Sequence, residues 1–224
     1  MENRLNDLYK DNKFKIYYEF LVSENEKYNL TNITNEEDVY IKHFLDSLSL
    51  ENVCDFSKEI SLCDVGSGAG FPSVPLKIMY PNIKLTIIEP TLKRCNFLKM
   101  LFEKLDIKDV TIINDRAENI KNIKFDIVTA RAVSNLSILL ELCLPLVKVN
   151  GRFIALKGSN YKEELCNANN ALNVLKGKVI NVKEYSLLNK EELYGIHSLI
   201  DIRKEKECSN IYPRSYALIK KKPL

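Results

Sequence analysis

The sequence contains the glycine-rich loop Asp64-Val65-Gly66-Ser67-Gly68-Ala69-Gly70, which follows a short apolar run and precedes a helical segment with Pro72 in its first turn. Without Cβ atoms, the glycines allow a sharp turn and let a ligand lie against the backbone. The amides of the following helix can receive an anionic group. A pair of glycines alone would indicate only a tight turn, but the strand before them and the helix after them predict a ligand site.

An acidic residue beyond the next strand supports this prediction. Glu89 lies 21 residues after Gly68 and closes the apolar run 84–88, where a carboxylate can accept hydrogen bonds from both hydroxyls of a ribose. The spacing GxGxG differs from the GxGxxG of dinucleotide-binding proteins, and no GK[ST] follows as in a P-loop. From about Ile60 onward, the order strand, DxGxGxG, helix, strand, acid resembles the S-adenosylmethionine (AdoMet)-dependent methyltransferases.

Short apolar runs alternate with helical segments along most of the chain. The runs are residues 60–63, 84–88, 110–113, 125–129 and 153–156, and the helical segments are 72–79, 92–105, 136–147 and 161–175. Helices between strands act as crossovers, so the pattern predicts an α/β fold with a doubly wound and mostly parallel sheet, and the methyltransferase resemblance implies that this sheet is seven-stranded. Residues 179–186, 197–203 and 216–220 are predicted to be closing strands, at least one of them antiparallel.

The beginning of the chain has a helical pattern instead. Apolar residues recur at helical spacing between Leu5 and Tyr28. Thr34 and Glu37 then form a predicted capping box for a helix that we expect to run to about Leu50. We therefore expect an N-terminal helical extension, residues 1–58, packed on the sheet of a methyltransferase domain at residues 59–224.

Composition narrows the class of protein. The 33 Lys and Arg residues against 30 Asp and Glu give a formal charge of +3, which excludes a polybasic nucleic-acid binder but permits a local RNA contact. We find no signal peptide pattern and no apolar run of about 18 residues that would span a membrane. The six cysteines form no CxxC pair. We expect a cytoplasmic protein with no metal and no membrane partner.

The residues after the fourth apolar run point to the methyl acceptor. The chain has Thr129-Ala130-Arg131-Ala132-Val133 there, and not the Asn/Asp-Pro-Pro-aromatic turn of exocyclic amine methylases. A ring nitrogen such as guanine N7 has a free lone pair and no proton to lose, so it needs no general base. Arg131 is the candidate catalytic residue, since it can donate to guanine O6 and leave N7 free. Alternatively, it lies against the cofactor or forms an ion pair with an acidic residue such as Asp126.

The third apolar run ends in a polar turn, Asn114-Asp115-Arg116-Ala117-Glu118. Ligands of open α/β sheets bind outside the carboxyl ends of the strands, so this turn belongs beside the glycine loop. In the methyltransferases that the chain resembles, the corresponding stretch touches the adenine. The alternative is that Asp115 caps a helix and Glu118 is a solvated charge.

Further motifs carry a more specific resemblance. These segments, in order, are Asn29-Leu30-Thr31 with Ile33, the HxxDS pattern of His43, Asp46 and Ser47, the glycine loop with Phe71-Pro72, Lys93-Arg94, Arg116-Ala117-Glu118, Arg131-Ala132, Ala155-Leu156-Lys157-Gly158, Tyr212-Pro213-Arg214 and Pro223-Leu224. In their order and spacing, across nearly its whole length, the chain resembles the bacterial 16S ribosomal RNA guanine-N7 methyltransferase G family, also called glucose-inhibited division protein B.

The resemblance implies a monomeric enzyme that uses AdoMet to methylate N7 of a guanine in the 530 loop of 16S rRNA, either free or in the small ribosomal subunit. With the loop and Glu89, the predicted cofactor-binding residues are Asp64, Gly66, Gly68, Gly70, Phe71, Glu89, Asp115, Ala117, Glu118 and Arg131. The implied RNA contacts are Lys93, Arg94, Lys157 and Arg214. From the residues alone, Lys93 and Arg94 are equally well explained as solvent charges on a helix, and Lys157 as the end of a strand.

Other functions and some departures from the family pattern stay open at this point. The same loop would serve a methyltransferase acting on a small molecule or a protein, a similar sheet would serve an NAD-dependent oxidoreductase, and an inactive RNA-binding module is the third alternative. Ser73 stands where the family usually has glycine, which we expect to stiffen or displace the loop slightly. His43 either anchors the helical extension or contributes to the base pocket.

The excess positive charge lies in the C-terminal tail. The segment from Cys208 to Leu224 contains no acidic residue and four cations, which are Arg214, Lys220, Lys221 and Lys222. RNA affinity falls as salt rises, so log affinity plotted against log salt has a negative slope. Replacing the three lysines by glutamine should make this slope less steep by up to about 2, with AdoMet affinity unchanged. Filter binding at several salt concentrations measures the slope, and an unchanged slope would show that these lysines do not contact phosphates.

Overall fold

A seven-stranded sheet forms the centre of the computed structural model, which describes residues 2–131, 133–188 and 193–224. The strand order is β3-β2-β1-β4-β5-β7-β6. The first five strands are parallel, and β7 runs antiparallel between β5 and β6. The predicted doubly wound α/β sheet is confirmed. The strands are β1 (Ser61–Val65), β2 (Lys84–Ile88), β3 (Val110–Ile113), β4 (Phe125–Arg131), β5 (Val147–Lys157), β6 (Gly177–Leu188) and β7 (Leu193–Lys204).

The helices that connect the strands lie close to the predicted segments, with two differences. The segment predicted at 136–147 ends as an α-helix at Cys143 and tightens into a 3₁₀ turn, Leu144–Leu146, because Pro145 has no N–H for a helical hydrogen bond. The segment predicted at 161–175 is divided at Ala168. The helices are α5 (Ser73–Met79), α6 (Leu92–Lys104), α7 (Leu136–Cys143), α8 (Tyr161–Asn167) and α9 (Asn169–Leu175).

The N-terminal residues are helical, as predicted, but their cap is not the predicted one. Asn35 is the N-cap, and its side chain accepts a hydrogen bond from Asp38 N at 3.2 Å; asparagine is at least as good a cap as threonine. The Thr34 carbonyl instead accepts from the Tyr18 hydroxyl. The helices are α1 (Glu2–Lys10), α2 (Asn12–Tyr28), α3 (Glu36–Val39), a π-helix (Tyr40–Leu45), α4 (Asp46–Leu48) and a 3₁₀ turn (Ser49–Asn52).

Two hydrophobic cores hold these layers together, one on each face of the sheet. The first contains aromatic residues of the N-terminal helices, among them Phe14, Tyr17 and Phe44, together with Phe71 and Phe97 of the sheet region. The second packs α7 and α9 on the opposite face. The N-terminal helices and the glycine loop share the first core, so these helices cover the loop. The division into two domains at residue 58 stays a prediction.

The predicted strand at residues 216–220 is wrong, because this segment is the helix α10 (Tyr216–Lys221). A short apolar run does not distinguish a strand from a helix by itself. Here Tyr216 and Ile219 have helical spacing, and Ile219 is fully buried in the second core. The Ser215 carbonyl accepts from the amides of Leu218 and Ile219, which starts the helix. Within the described ranges, no helix has the length and apolarity needed to cross a membrane.

The shared aromatic core gives a stability prediction. The Phe44 ring is fully buried, with its centroid 5.1 Å from that of Phe14 and 5.0 Å from that of Tyr17. We expect Phe44→Ala to lower the free energy of unfolding by about 3–5 kcal/mol, measured by urea unfolding. Ile180→Ala, at an exposed position, should change it by less than about 0.5 kcal/mol. Equal unfolding midpoints for the two variants would contradict the shared core.

Candidate cofactor site and acceptor cleft

The glycine loop has the left-handed backbone that its composition predicts. Gly66, Gly68 and Gly70 have φ angles of +73°, +61° and +108°, which other residues adopt at a cost. A Cβ on Gly70 would lie 2.7 Å from the hydroxyl of Tyr17, and that hydroxyl donates to the Ala69 carbonyl at 2.6 Å. Helix α2 therefore holds the loop from outside the sheet.

Asp64 lies beneath the loop and is completely buried. Its Oδ2 accepts from the Ser73 hydroxyl at 2.6 Å and from Ser73 N at 3.2 Å. Its Oδ1 is buried and has no hydrogen-bond partner in the described part of the chain. Burial raises the pKa of Asp64 to about 7, against the opposing effect of the Ser73 hydrogen bonds. The serine that departs from the family pattern thus ties α5 to this carboxylate.

Glu89 meets the glycine loop, as the sequence predicts. Its carboxylate is 1% exposed, and Oε2 accepts from Gly68 N at 3.1 Å while Oε1 accepts from Thr91 N at 2.9 Å. The parallel pairing of β1 and β2 brings the two strand ends together. A carboxylate has about four lone-pair sites, so Glu89 retains capacity for the hydroxyls of a ligand.

A cavity of about 270 Å³ opens between Glu89 and the turn after β3. Of the predicted cofactor-binding residues it is lined by Gly66, Glu89, Ala117, Glu118 and Arg131. Asp64, Gly68, Gly70 and Phe71 support the loop behind this wall. Asp115 Oδ1 accepts from Arg116 N and Asn119 Nδ2, both at 2.7 Å, so this side chain closes the local turn. The contacts of all these residues with a cofactor stay predictions.

Arg131 lies between this cavity and a second one and contributes to the wall of both. Its Nη1 is 2.8 Å from Asp46 Oδ2, and its guanidinium lies 4.8 Å from the centre of the Phe71 ring. The alternative of an ion pair with an acidic residue is therefore confirmed, but the partner named for it is wrong, because Asp126 is bound by Lys148 and by Ser61. Ala132, the other residue of the predicted motif, lies outside the described residues.

The second cavity, which we call the acceptor cleft, has a volume of about 540 Å³. It lies at the carboxyl end of the sheet, where the register pairs Arg131 with Leu156 and Lys157 follows. Its lining residues include members of the N-terminal helices, the ends of β4 and β5, α8 and β7: Ile33, Lys42, His43, Asp46, Arg131, Leu156, Lys157, Gly158, Glu164, Tyr194 and His197.

Asp46 holds several of these groups in place. Oδ1 accepts from the Tyr185 hydroxyl at 2.7 Å and lies 3.3 Å from His197 Nδ1, while Oδ2 faces Arg131. Burial raises the pKa of Asp46, but hydrogen bonds from His197, Arg131 and Tyr185 outweigh it and keep the pKa below its ordinary value. Asp46 is therefore an ionised carboxylate with both oxygens occupied.

His43 is in the π-helix and faces the same cleft. Its ring stacks on Phe71 with centroids 4.5 Å apart, and Nε2 is 2.8 Å from Thr31 Oγ1. Burial, helped by the charge of Arg131, lowers its pKa to about 4. His43 is thus neutral at pH 7 and adds no charge beside Arg131. In the described ranges, no three His, Cys, Asp or Glu side chains are grouped to hold a metal ion.

The predicted RNA-binding residues lie in different environments. Lys93 is exposed at the start of α6, and Arg94 lines the 270 Å³ cavity 4.0 Å from Glu89. Lys157 is only 8% exposed and its Nζ lies 2.6 Å from Glu164. Arg214 contacts the buried Glu141 through Nε at 2.7 Å and through Nη2. Three of the four cations thus have an acidic partner, Lys157 and Arg214 at short distance and Arg94 at 4.0 Å, and all four RNA contacts stay predictions.

The family model described as rRNA small subunit methyltransferase G, GidB, matches residues 10–193. The chain belongs to this family. It is 46% identical to the ribosomal RNA small subunit methyltransferase G of Staphylococcus carnosus, over 98% of this chain and 92% of the relative. It is 47% identical to the protein of the same name from Bacillus cereus strain B4264, over 95% and 90% of the two chains.

Solved structures show that this member of the GidB family has a methyltransferase fold. A putative methyltransferase from Thermoplasma acidophilum superposes with a TM-score of 0.57 at 14% identity, over 70% of this chain and 73% of that one. M. jannaschii TYW2, solved in complex with AdoMet, superposes with a TM-score of 0.59 at 13% identity, over 77% and 79%. At such low identity the likeness shows the fold alone.

Several residues of the two cavities were not found from the sequence of this GidB family member. They are His197 and Glu164 at the acceptor cleft, with Tyr185 bound to Asp46 behind it, and Tyr216 and Leu142 at the cofactor cavity. The chain has only two histidines, and both lie beside the Arg131–Asp46 pair. Their scarcity was the one available signal for His197.

The two histidines should affect stability with opposite pH dependence. The folded pKa of His43, about 4, is below the ordinary 6.5, so the unfolded chain binds more protons between these values and stability falls as pH falls. The free energy by which wild type exceeds His43→Gln should thus shrink by about 2 kcal/mol between pH 7.5 and pH 4.5. Urea unfolding at both pH values measures it.

His197 is the matched control for this measurement. Its pKa is raised, chiefly by the hydrogen bond with Asp46, so its contribution is present below the unfolded pKa and lost as pH rises through the folded pKa. Wild type should exceed His197→Gln by more at low pH than at high pH. The same pH trend for both variants would contradict the assigned environments.

Proposed function

We propose that the chain transfers the methyl group of AdoMet to N7 of a guanine in the 530 loop of 16S rRNA. The observation that carries this proposal is the position of Arg131 between two cavities, in a member of the methyltransferase G family. One cavity has the glycine loop and ribose-binding carboxylate of an AdoMet site, and the other is large and polar enough to receive a base. The choice of N7 and of the 530 loop rests on the family resemblance.

The residues around the 270 Å³ cavity fit AdoMet. The carboxylate of Glu89 can accept from the ribose hydroxyls, and Ala117 with Glu118 borders the place of the adenine. Gly66 forms the wall without a Cβ, which would lie 2.8 Å from Val133. Asp64 Oδ1, buried under the loop, has no hydrogen-bond partner among the described residues, and we propose that it accepts from a donor of the methionine part. When bound, AdoMet supplies the electrophilic methyl group.

The acceptor cleft supplies orientation rather than base catalysis. Guanine N7 attacks with its own lone pair, so no proton has to leave and no side chain has to remove one. Arg131 can donate to guanine O6 from the wall between the cavities, and its anchor on Asp46 at 2.8 Å fixes that donor before the base arrives. The neutral His43 ring packs beside it on Phe71, so this histidine adds no positive charge next to the methylated base.

The proposal includes the setting of the reaction. The substrate is 16S rRNA, free or within the small subunit, so we expect a cytoplasmic enzyme that works as a monomer and without a metal ion. Residues 1–58 act as a helical extension of the methyltransferase domain at 59–224. The role of the extension is supported by two of its residues, Asp46 and His43, which both contact Arg131 of β4.

The direct test uses labelled AdoMet with free 16S rRNA, small subunits and an assembly intermediate, followed by mapping of N7-methylguanine. Wild type should label one guanine of the 530 loop. Gly66→Arg fills the cofactor cavity at a left-handed position, so we expect at least about a 100-fold loss of methylation and no binding of S-adenosylhomocysteine by calorimetry.

The matched control is Asn167→Arg, which adds the same charge at an exposed position on α8 and should retain full activity. Labelling of no guanine in any of the three RNA states, with cofactor binding intact, would contradict the RNA substrate. Turnover on a small molecule or a protein under the same conditions would favour that other acceptor class. Binding of NADH without S-adenosylhomocysteine would contradict the cofactor.

A further inference from the structure

The acceptor cleft is lined by two carboxylates in very different states. They are Asp46 and Glu164, the acidic residues among those that line the described wall. Asp46 is 4% exposed, and both of its oxygens contact side chains: Tyr185 and His197 on Oδ1, and Arg131 on Oδ2. A base that enters the cleft therefore finds no free acceptor on Asp46.

Glu164 is more accessible, and the polar contacts that it makes within the described residues are on one oxygen. Its side chain is 22% exposed, and Oε2 receives both Lys157 Nζ at 2.6 Å and Leu136 N at 2.7 Å. Lys157 also donates to the Ser134 carbonyl at 2.8 Å. Because the end of β5 and the start of α7 both bind Oε2, the carboxylate is fixed in place, and Oε1 remains to accept from a ligand.

We propose that Glu164 recognises the Watson–Crick edge of the target guanine by accepting hydrogen bonds from N1–H and the 2-amino group. The inference rests on the proposed function, because it needs a guanine in the acceptor cleft. Lys157 is then a positioning residue that holds Glu164, rather than a residue that contacts RNA phosphate directly.

The chemistry of guanine agrees with the arrangement of the cleft. N7 and O6 lie on one edge of the base, and N1–H and the 2-amino group lie on the side away from N7. With N7 toward the cofactor cavity and O6 on Arg131, the donor groups point into the acceptor cleft, where Glu164 contributes to the wall. Adenine would place an unprotonated N1 toward the carboxylate and has no 2-amino group. The lone pairs of adenine N1 and of Glu164 Oε1 would then face each other with no proton between them, and both acceptors would lose water without gaining a hydrogen bond, so the cleft should reject adenine.

The test compares guanine with inosine, which keeps N7, O6 and N1–H but lacks the 2-amino group. The substrate is 16S rRNA ligated from transcripts and a synthetic segment that carries either base at the methylated position, in the RNA state that wild type methylates. One hydrogen bond to a charged group corresponds to about 10- to 100-fold. Wild type should therefore prefer guanine by about that factor in kcat/KM.

Glu164→Gln should lose most of this preference. The amide retains one oxygen for Leu136 N and Lys157 but has no second acceptor, so we expect kcat/KM for guanine to fall and the guanine-to-inosine ratio to drop to within about threefold. S-adenosylhomocysteine affinity should be unchanged. The matched control is Glu163→Gln, on the adjacent exposed residue of α8, which should keep the wild-type ratio.

Each outcome decides between a recognition role and a merely structural one. Equal wild-type rates on the two bases, or a wild-type ratio in Glu164→Gln, would overturn the proposal. If Glu164→Gln does not fold, Glu164→Asp keeps the charge with a shorter reach and should give an intermediate ratio; the wild-type ratio and rate in that variant would also overturn it. Absence of wild-type methylation on guanine RNA contradicts the proposed function itself, whereas methylation by wild type without a preference for guanine over inosine contradicts only the role of Glu164.

Discussion

The ion pair between Asp46 and Arg131 is the contact on which the site depends. Asp46 comes from the N-terminal helices, Arg131 from the end of β4, and Tyr185 and His197 from the hairpin of β6 and β7. Two charges buried this far lose hydration, and such a pair is retained at a cost unless its remaining hydrogen-bonding groups are satisfied. Here two parts of the chain supply the charges, and a third, β6 with β7, supplies the hydrogen bonds that Asp46 still needs. The complete set of contacts therefore forms only when all three parts are in place.

This dependence explains why the N-terminal helices and the sheet share one core. The ring of Phe71 packs against Tyr17, Phe44 and His43 on one side of the loop and lies 4.8 Å from the Arg131 guanidinium. The glycine loop is thereby held by the same aromatic residues that hold the arginine. Burial in this setting keeps His43 neutral, which leaves Arg131 as the cation that faces both cavities from the wall between them. A change in the core should therefore reach the chemistry through Arg131.

The sequence predicted the cofactor side of the molecule better than the acceptor side, for a physical reason. Asp64, the glycines and Glu89 lie within two strands and one crossover, so their meeting follows from a local pattern that parallel pairing makes certain. Arg131 and Asp46 are 85 residues apart, and the pairing that joins them has no periodicity to reveal it. Asp126, nearer in the chain, was a reasonable alternative partner but binds Lys148 instead. Glu164 and His197 became visible only when the hairpin and α8 were placed.

The error in the C-terminal tail has consequences for where the basic residues lie. In the predicted strand at 216–220, Lys220 would end a sheet edge, and Lys221 and Lys222 would lie beyond it. As a helix, α10 packs Ile219 into the second core and brings Tyr216 to the cofactor cavity, with the Arg116 guanidinium 5.2 Å from its ring. Lys220 and Lys221 are exposed in the last turn of this helix, and the exposed Lys222 follows it. Because Lys157 and Arg214 are occupied by Glu164 and Glu141, this edge, together with Lys93, is where exposed cations and the cofactor cavity come together, as a phosphate contact beside the reaction centre requires.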